Sequence, residues 1–137
     1  MEYVVGIVLA LAVTGGATAV GFDRERVFYP AMMIVIASYY ILFAVMGASA
    51  AVLVAETVVA GAFMLLAVIG FKSRLWIVVV ALASHGAFDF VHHLIIDDPG
   101  VPVWWPGFCL AFDMAAAGCL ALLLLKNPRL AHQAGIK

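Results

Sequence analysis

Long apolar runs alternate with short polar breaks along the chain, and the runs have the lengths of membrane-crossing helices. A helix needs about 20 predominantly apolar residues to cross the hydrocarbon core. The first run covers residues 3–20 and stops at Asp23-Arg24-Glu25-Arg26. Pro30 follows at the start of a second run, where a missing backbone N–H is tolerated. The stretch 31–71 carries a single charge, Glu56. It is too long for one span and suits two. The small residues of Met46-Gly47-Ala48-Ser49-Ala50 permit a tight hairpin, which predicts helices over 31–47 and 52–71. Lys72-Ser73-Arg74 ends the third helix, and a fourth covers 75–96. Asp97-Asp98-Pro99-Gly100 breaks that helix. A fifth covers 106–125, and a short polar tail follows. The expected architecture is all-α: a polytopic bundle of about five transmembrane helices forming one integral membrane domain over 1–137.

The basic residues give an orientation. They occur only at alternate breaks: Arg24 and Arg26, Lys72 and Arg74, then Lys126, Arg129 and Lys137. Five crossings put those segments on one side, and the positive-inside rule makes that side cytoplasmic. The N-terminus is then outside, the C-terminus is cytoplasmic, and a bacterial plasma (inner) membrane is the expected location. Four crossings would split the basic residues between the faces. Trp104-Trp105 suits the outer aromatic belt. Ala17-Thr18-Ala19 resembles a signal-peptide cleavage site, but Glu2 and the lack of an early Lys or Arg argue for retention of the first helix.

Composition agrees. Hydrophobic residues make up 67% and charged residues 11% of the 137, far from the roughly half and quarter of a soluble domain. Net charge is −1 with no basic patch, so no nucleic-acid partner is expected. Cys109 and Cys119 are ten positions apart on one helix, roughly 15 Å, which excludes a disulfide between them.

The informative segment is Ser84-His85-Gly86-Ala87-Phe88-Asp89-Phe90-Val91-His92-His93. At about 100° per residue, His85, Asp89, His92 and Ile96 share a stripe about 60° wide, with His93 at its edge. Helical rise places Asp89 and Asp113 each about 10 Å below the outer ends of their helices. Glu56 enters from the same side near the level of His92. Cys109 lies one turn above Asp113, and Asp97 and Asp98 stand at the mouth. A charge at the bilayer centre costs about 2.5–3.5 kcal/mol on insertion scales. These groups must therefore face inward and be paired, protonated or metal-bound. Imidazole with carboxylate suits Zn, Fe or Mn, which makes His85, Asp89, His92, His93 and Asp113 candidate ligands. Asp89, Asp113 and Glu56 are candidate catalytic groups. The plainer alternative is that His–Asp hydrogen bonds simply hold the bundle together. Glu56 and His93 taken singly can snorkel to the interface, and Cys109 suits core packing. Of Tyr39 and Tyr40, one is expected to hydrogen-bond into the bundle or to pack there. Gly15-Gly16 predicts close packing of the first helix.

No lysine lies inside a predicted span, so a retinal Schiff base has no candidate. P-loop, dinucleotide and serine-elbow patterns are absent from the sequence. Phe88-Asp89 through His92-His93, followed by Pro106-Gly107-Phe108-Cys109 and Asp113, resembles a signature of small uncharacterised bacterial membrane proteins: an aromatic-Asp-x-x-His-His motif and then Phe-Cys-x-x-x-Asp. The resemblance covers the last two helices and implies residues to test but no known activity. Ser84, His85, Asp89 and His92 are also similar in chemistry to the Ser, Asp and three-His zinc site of alkaline ceramidase-like membrane hydrolases. That family has seven helices and a His-x-x-x-His pair, which this chain lacks, so a metal hydrolase is implied by analogy alone.

Three functions are expected to compete. One is a metal-dependent intramembrane enzyme acting on a lipid-like substrate, with Glu56 or a non-ligand Asp as base and a metal-activated water. Another is a metal-free, proton-coupled transporter or isomerase. The third is a structural or accessory subunit. Haem is a minor fourth option, because bis-His ligation would need a second chain. Oligomeric state stays open.

Overall fold

The computed structural model describes residues 1–132. Lys137, counted above among the basic residues, lies outside them. Five helices are long and apolar enough to cross a membrane: α1 (Glu2–Val20), α2 (Phe28–Gly47), α3 (Ala50–Lys72), α4 (Trp76–Ile95) and α5 (Trp105–Lys126), followed by a short α6 (Pro128–His132). No strand occurs among the described residues. The chain is thus a multi-pass helical membrane protein.

Local chemistry explains the ends. Gly21 closes α1 in the left-handed conformation at φ 83°, which glycine adopts without a Cβ penalty. Pro30 lies in the first turn of α2 rather than before it, because α2 begins at Phe28; backbone N–H groups there have no intrahelical acceptor to lose. The α2–α3 hairpin turns at Ala48-Ser49, and Ser49 caps α3 by accepting from the Val52 N–H at 3.3 Å. The tail is partly helical, a turn the polar composition of that segment did not suggest.

Packing follows the chain only in part. α5 packs against both α1 and α4, α3 against both α2 and α4, and α2 touches α4. Gly15 and Gly16 were expected to mark the close approach of α1, but nothing lies near them. That role falls to Gly6, where a Cβ would meet the Phe108 carbonyl and lie 3.1 Å from the Ala111 Cβ. Gly15 and Gly16 instead sit on the exposed side.

The two ends of the bundle differ. One carries Arg24, Arg26, Lys72, Arg74, Lys126 and Arg129 and is called here the basic end. Beneath it lies an apolar core of Met33, Leu75, Val78, Leu82, Leu120 and Leu124. Arg26 ties this end together. Its guanidinium donates to the carbonyls of Gly70 (3.2 Å), Phe71 (2.9 Å), Ser73 (3.1 Å) and Leu130 (2.7 Å). The last carbonyls of a helix have no intrahelical donor, and one charged fork satisfies several of them. Partial burial lowers the Arg26 pKa, yet arginine stays charged in proteins. Nearby, Asp23 is buried and accepts from the Thr18 hydroxyl at 2.6 Å. The opposite, acidic end carries Asp97, Asp98 and the polar groups described next.

Candidate functional site

Above Leu82 on α4 the core changes character. His85, Asp89 and His92 are each at most 2% exposed. They repeat at i, i+4 and i+7 and so line one face, which α4 turns toward α5, α3 and α2. Ile96 on the same stripe is buried, whereas His93 is exposed. The face expected from the helical period is the face observed, and the structure places His93 off it.

Two polar groups form within this layer. In the first, His85 Nδ1 lies 2.7 Å from Asp113 Oδ2 and 3.3 Å from Asp89 Oδ2. One ligand atom from each residue falls within 4.8 Å of the others. In the second, His92 Nε2 lies 2.6 Å from Glu56 Oε1. Both agree with the depths expected from helical rise, since Asp89 with Asp113 and Glu56 with His92 meet at common levels. The sequence-derived ligand set is thereby divided: His85, Asp89 and Asp113 converge, His92 pairs with Glu56, and His93 stands at the rim.

The close approach of α4 and α5 has a specific cause. Gly86, next to His85, faces α5; a Cβ there would lie 3.1 Å from the Asp113 Cβ and 3.2 Å from the Leu110 carbonyl. Without a side chain at 86 the helices can come near enough for His85 to reach Asp113.

Aromatic rings frame both groups. Tyr40 stacks on His92 at 4.3 Å between centroids and 30° between planes, and its ring is 6.1 Å from that of His85. Phe63 meets His85 edge-on at 4.8 Å, and Phe88 meets His92 edge-on at 5.5 Å. Of the two tyrosines, Tyr40 is the one that packs into the bundle, and its hydroxyl is buried with no hydrogen-bond partner. Tyr39 packs edge-on against Trp105 at 5.1 Å. Sequence reasoning missed Phe63 and Gly86. Phe63 follows Glu56 by seven positions, two helical turns on one face, and that spacing was the available signal.

Several buried atoms here have no partner: Glu56 Oε2, Asp113 Oδ1, both oxygens of Asp89, and the Tyr40 hydroxyl. Buried polar groups are normally hydrogen-bonded. The layer holds three carboxylates and two imidazoles, and neither Lys nor Arg occurs between residues 27 and 71 or between 75 and 125. Even with both histidines protonated, one negative charge is left over, so the layer must bind a further proton or cation.

Other candidates sit apart. Ser84 is exposed, so the serine of the hydrolase analogy does not face the cluster. Cys109 is buried and Cys119 partly so, and both are free thiols. A cavity of about 430 Å³ opens at the acidic end. His92 lines it together with His93, Asp97, Asp98 and Glu2.

No family model matches the chain, and no curated protein or solved structure matches it. The Asp-x-x-His-His segment is therefore interpreted from its own residues.

Proposed function

We propose that the protein is an intramembrane metalloenzyme in which His85, Asp89 and Asp113 hold one divalent ion, and that it acts on a lipid-like substrate. The observation that carries this reading is the convergence of an imidazole and two carboxylates on one buried spot where three carboxylate oxygens lack partners. The donor set suits Zn, Fe or Mn. At metal–ligand distances of about 2.0–2.2 Å, neighbouring ligands of a tetrahedral site lie about 3.3 Å apart. The His85–Asp89 separation of 3.3 Å fits this, and the 2.7 Å between His85 and Asp113 needs to open by about half an ångström. Charge fits as well: a divalent ion with neutral His85 and protonated His92 balances the three carboxylates. Bound there, the ion would supply Lewis acidity and lower the pKa of a coordinated water. Glu56 pairs with His92, which lines the mouth cavity, and in this reading Glu56 would accept a proton from substrate or water. We further propose that the basic end faces the cytoplasm of a bacterial plasma membrane, so that the site opens outward.

A second reading has its own support. The 2.7 Å and 2.6 Å contacts are hydrogen-bond lengths, and the Tyr40 ring stands between the two pairs. That geometry suits a metal-free proton path for a transporter or isomerase. Elemental analysis of detergent-purified protein separates the two readings. About one Zn, Fe or Mn per chain, lost in Asp89→Ala, is expected. Well-folded wild type without metal would reject the metalloenzyme and favour the proton path.

A further inference from the structure

α1 and α2 are consecutive, yet they do not pack along each other. Between them, floored by α5, runs an apolar groove of about 890 Å³. Its walls follow helical periods: Val5, Leu9 and Val13 on α1, and Met32, Ile36 and Tyr39 on α2. Of these, Val5, Leu9, Val13 and Tyr39 are at least 37% exposed. Large apolar side chains thus face one another across a gap open to the side.

We propose that this groove and the acidic mouth beside it bind one lipid, its single acyl chain in the groove and an amine-bearing headgroup at Asp97 and Asp98.

Dimensions support a chain. On α1 the groove covers residues 2–13 and on α2 residues 28–39, about 17 Å of helix on each. Half of a hydrocarbon core is about 15 Å, the depth that the tails of one leaflet fill. The wall chemistry disfavours a helix from a second copy. Membrane helix interfaces use small residues for close backbone approach, and these walls carry Val, Leu, Met and Tyr. Position supplies the headgroup. Trp104 and Trp105 lie at the groove's acidic end, and indoles favour the headgroup level. Glu2 lines both the groove and the 430 Å³ mouth cavity, so the two spaces adjoin there. In the mouth, Asp98 is only 8% exposed, and its Oδ2 has no partner. Glu2 already pairs with the Met1 ammonium at 3.0 Å, and Asp98 with Asp97 close by presents the carboxylates that favour a further cation with N–H donors. His92, paired to Glu56, also lines this cavity, so a headgroup held there would lie beside the candidate base. As a substrate of the metal site this lipid rests on the function proposed above; its binding does not.

The test is photolabelling of the purified full chain in mixed micelles. The probe is a 16-carbon primary amine with a mid-chain diazirine, compared with the carboxylic acid of the same chain. Expected are crosslinks on α1, α2 and α5 residues of the groove, with the amine labelling at least several-fold more than the acid. Leu9→Trp with Ile36→Trp should fill the groove and remove the labelling, while metal content stays at the wild-type level. Asp98→Asn should bring amine and acid labelling close together without moving the crosslink positions. Labelling spread over the exposed face of α3, labelling unchanged by the double substitution, or α1–α2 crosslinks between two copies in place of probe would each overturn the proposal. Because metal is measured on the same samples, loss of the lipid site and loss of the metal site are read separately.

Discussion

The basic and acidic ends of the bundle treat buried polarity in opposite ways. At the basic end a single arginine meets the carbonyls of α3, the α3–α4 turn and α6, and Asp23 has the Thr18 hydroxyl. Beneath lies a dry core of Leu, Val and Met. At the acidic end three carboxylates and two histidines occupy the core, and four of the six oxygens of those carboxylates have no partner. Polar groups that only build structure come satisfied, as at Arg26. Groups left short in an apolar medium cost several kcal/mol each, and such local violations concentrate where function requires them. The contrast between the ends, more than the presence of His and Asp, argues that the cluster at the acidic end holds something.

Substitutions at each end can break or sharpen that contrast. The largest effect is expected from Asp113→Asn, which removes a proposed ligand: metal affinity measured by competition with a chelator should fall more than about 100-fold, beyond what outer-shell changes produce. Glu56→Gln should keep the metal and lower turnover about 100-fold or more, the contribution of a positioned base; equal loss of metal would place Glu56 among the ligands. Gly86→Val keeps every ligand but pushes α4 from α5. It should reduce metal content and cost about 1–3 kcal/mol of stability by overpacking, read from thermal unfolding in detergent. Arg26→Met should cost about 2–3 kcal/mol, the worth of charge-assisted hydrogen bonds, and leave metal content at wild-type level. The smallest effect belongs to His93→Ala, expected within about 0.5 kcal/mol of wild type with metal retained. One result would reverse the contrast: if metal-stripped Asp89→Asn melts several degrees below metal-stripped wild type, Asp89 is part of the scaffold.

The spans and the depth of the cluster were legible because both rest on strong periodic constraints. Run length sets where a helix can cross, so 75–96 anticipated Trp76–Ile95 within one residue at each end. The fixed rise per residue puts Glu56 level with His92, and the two side chains meet at 2.6 Å. Helical phase placed His85, Asp89 and His92 on the buried face and left His93 at its margin. What sequence did not reveal were contacts that depend on which helices are neighbours. Gly15-Gly16 and Gly6 look alike in one dimension, and only the position of α5 decides that Gly6 is the packed one. Gly86 could not be assigned for the same reason. Of Tyr39 and Tyr40, which one would turn into the bundle was not legible, because the stacking of Tyr40 on His92 depends on the α2–α4 contact. Arg26 read as an orientation signal; its carbonyl partners lie more than 40 positions away.

The most direct test of the central claim is X-ray absorption at the metal edge of the purified protein. The account predicts a shell of nitrogen and oxygen ligands at about 2.0–2.2 Å, with the outer-shell scattering of a single imidazole that disappears in His85→Ala. A sulfur shell near 2.3 Å, which would move the ion to Cys109 or Cys119, or an unchanged spectrum in His85→Ala, would contradict it.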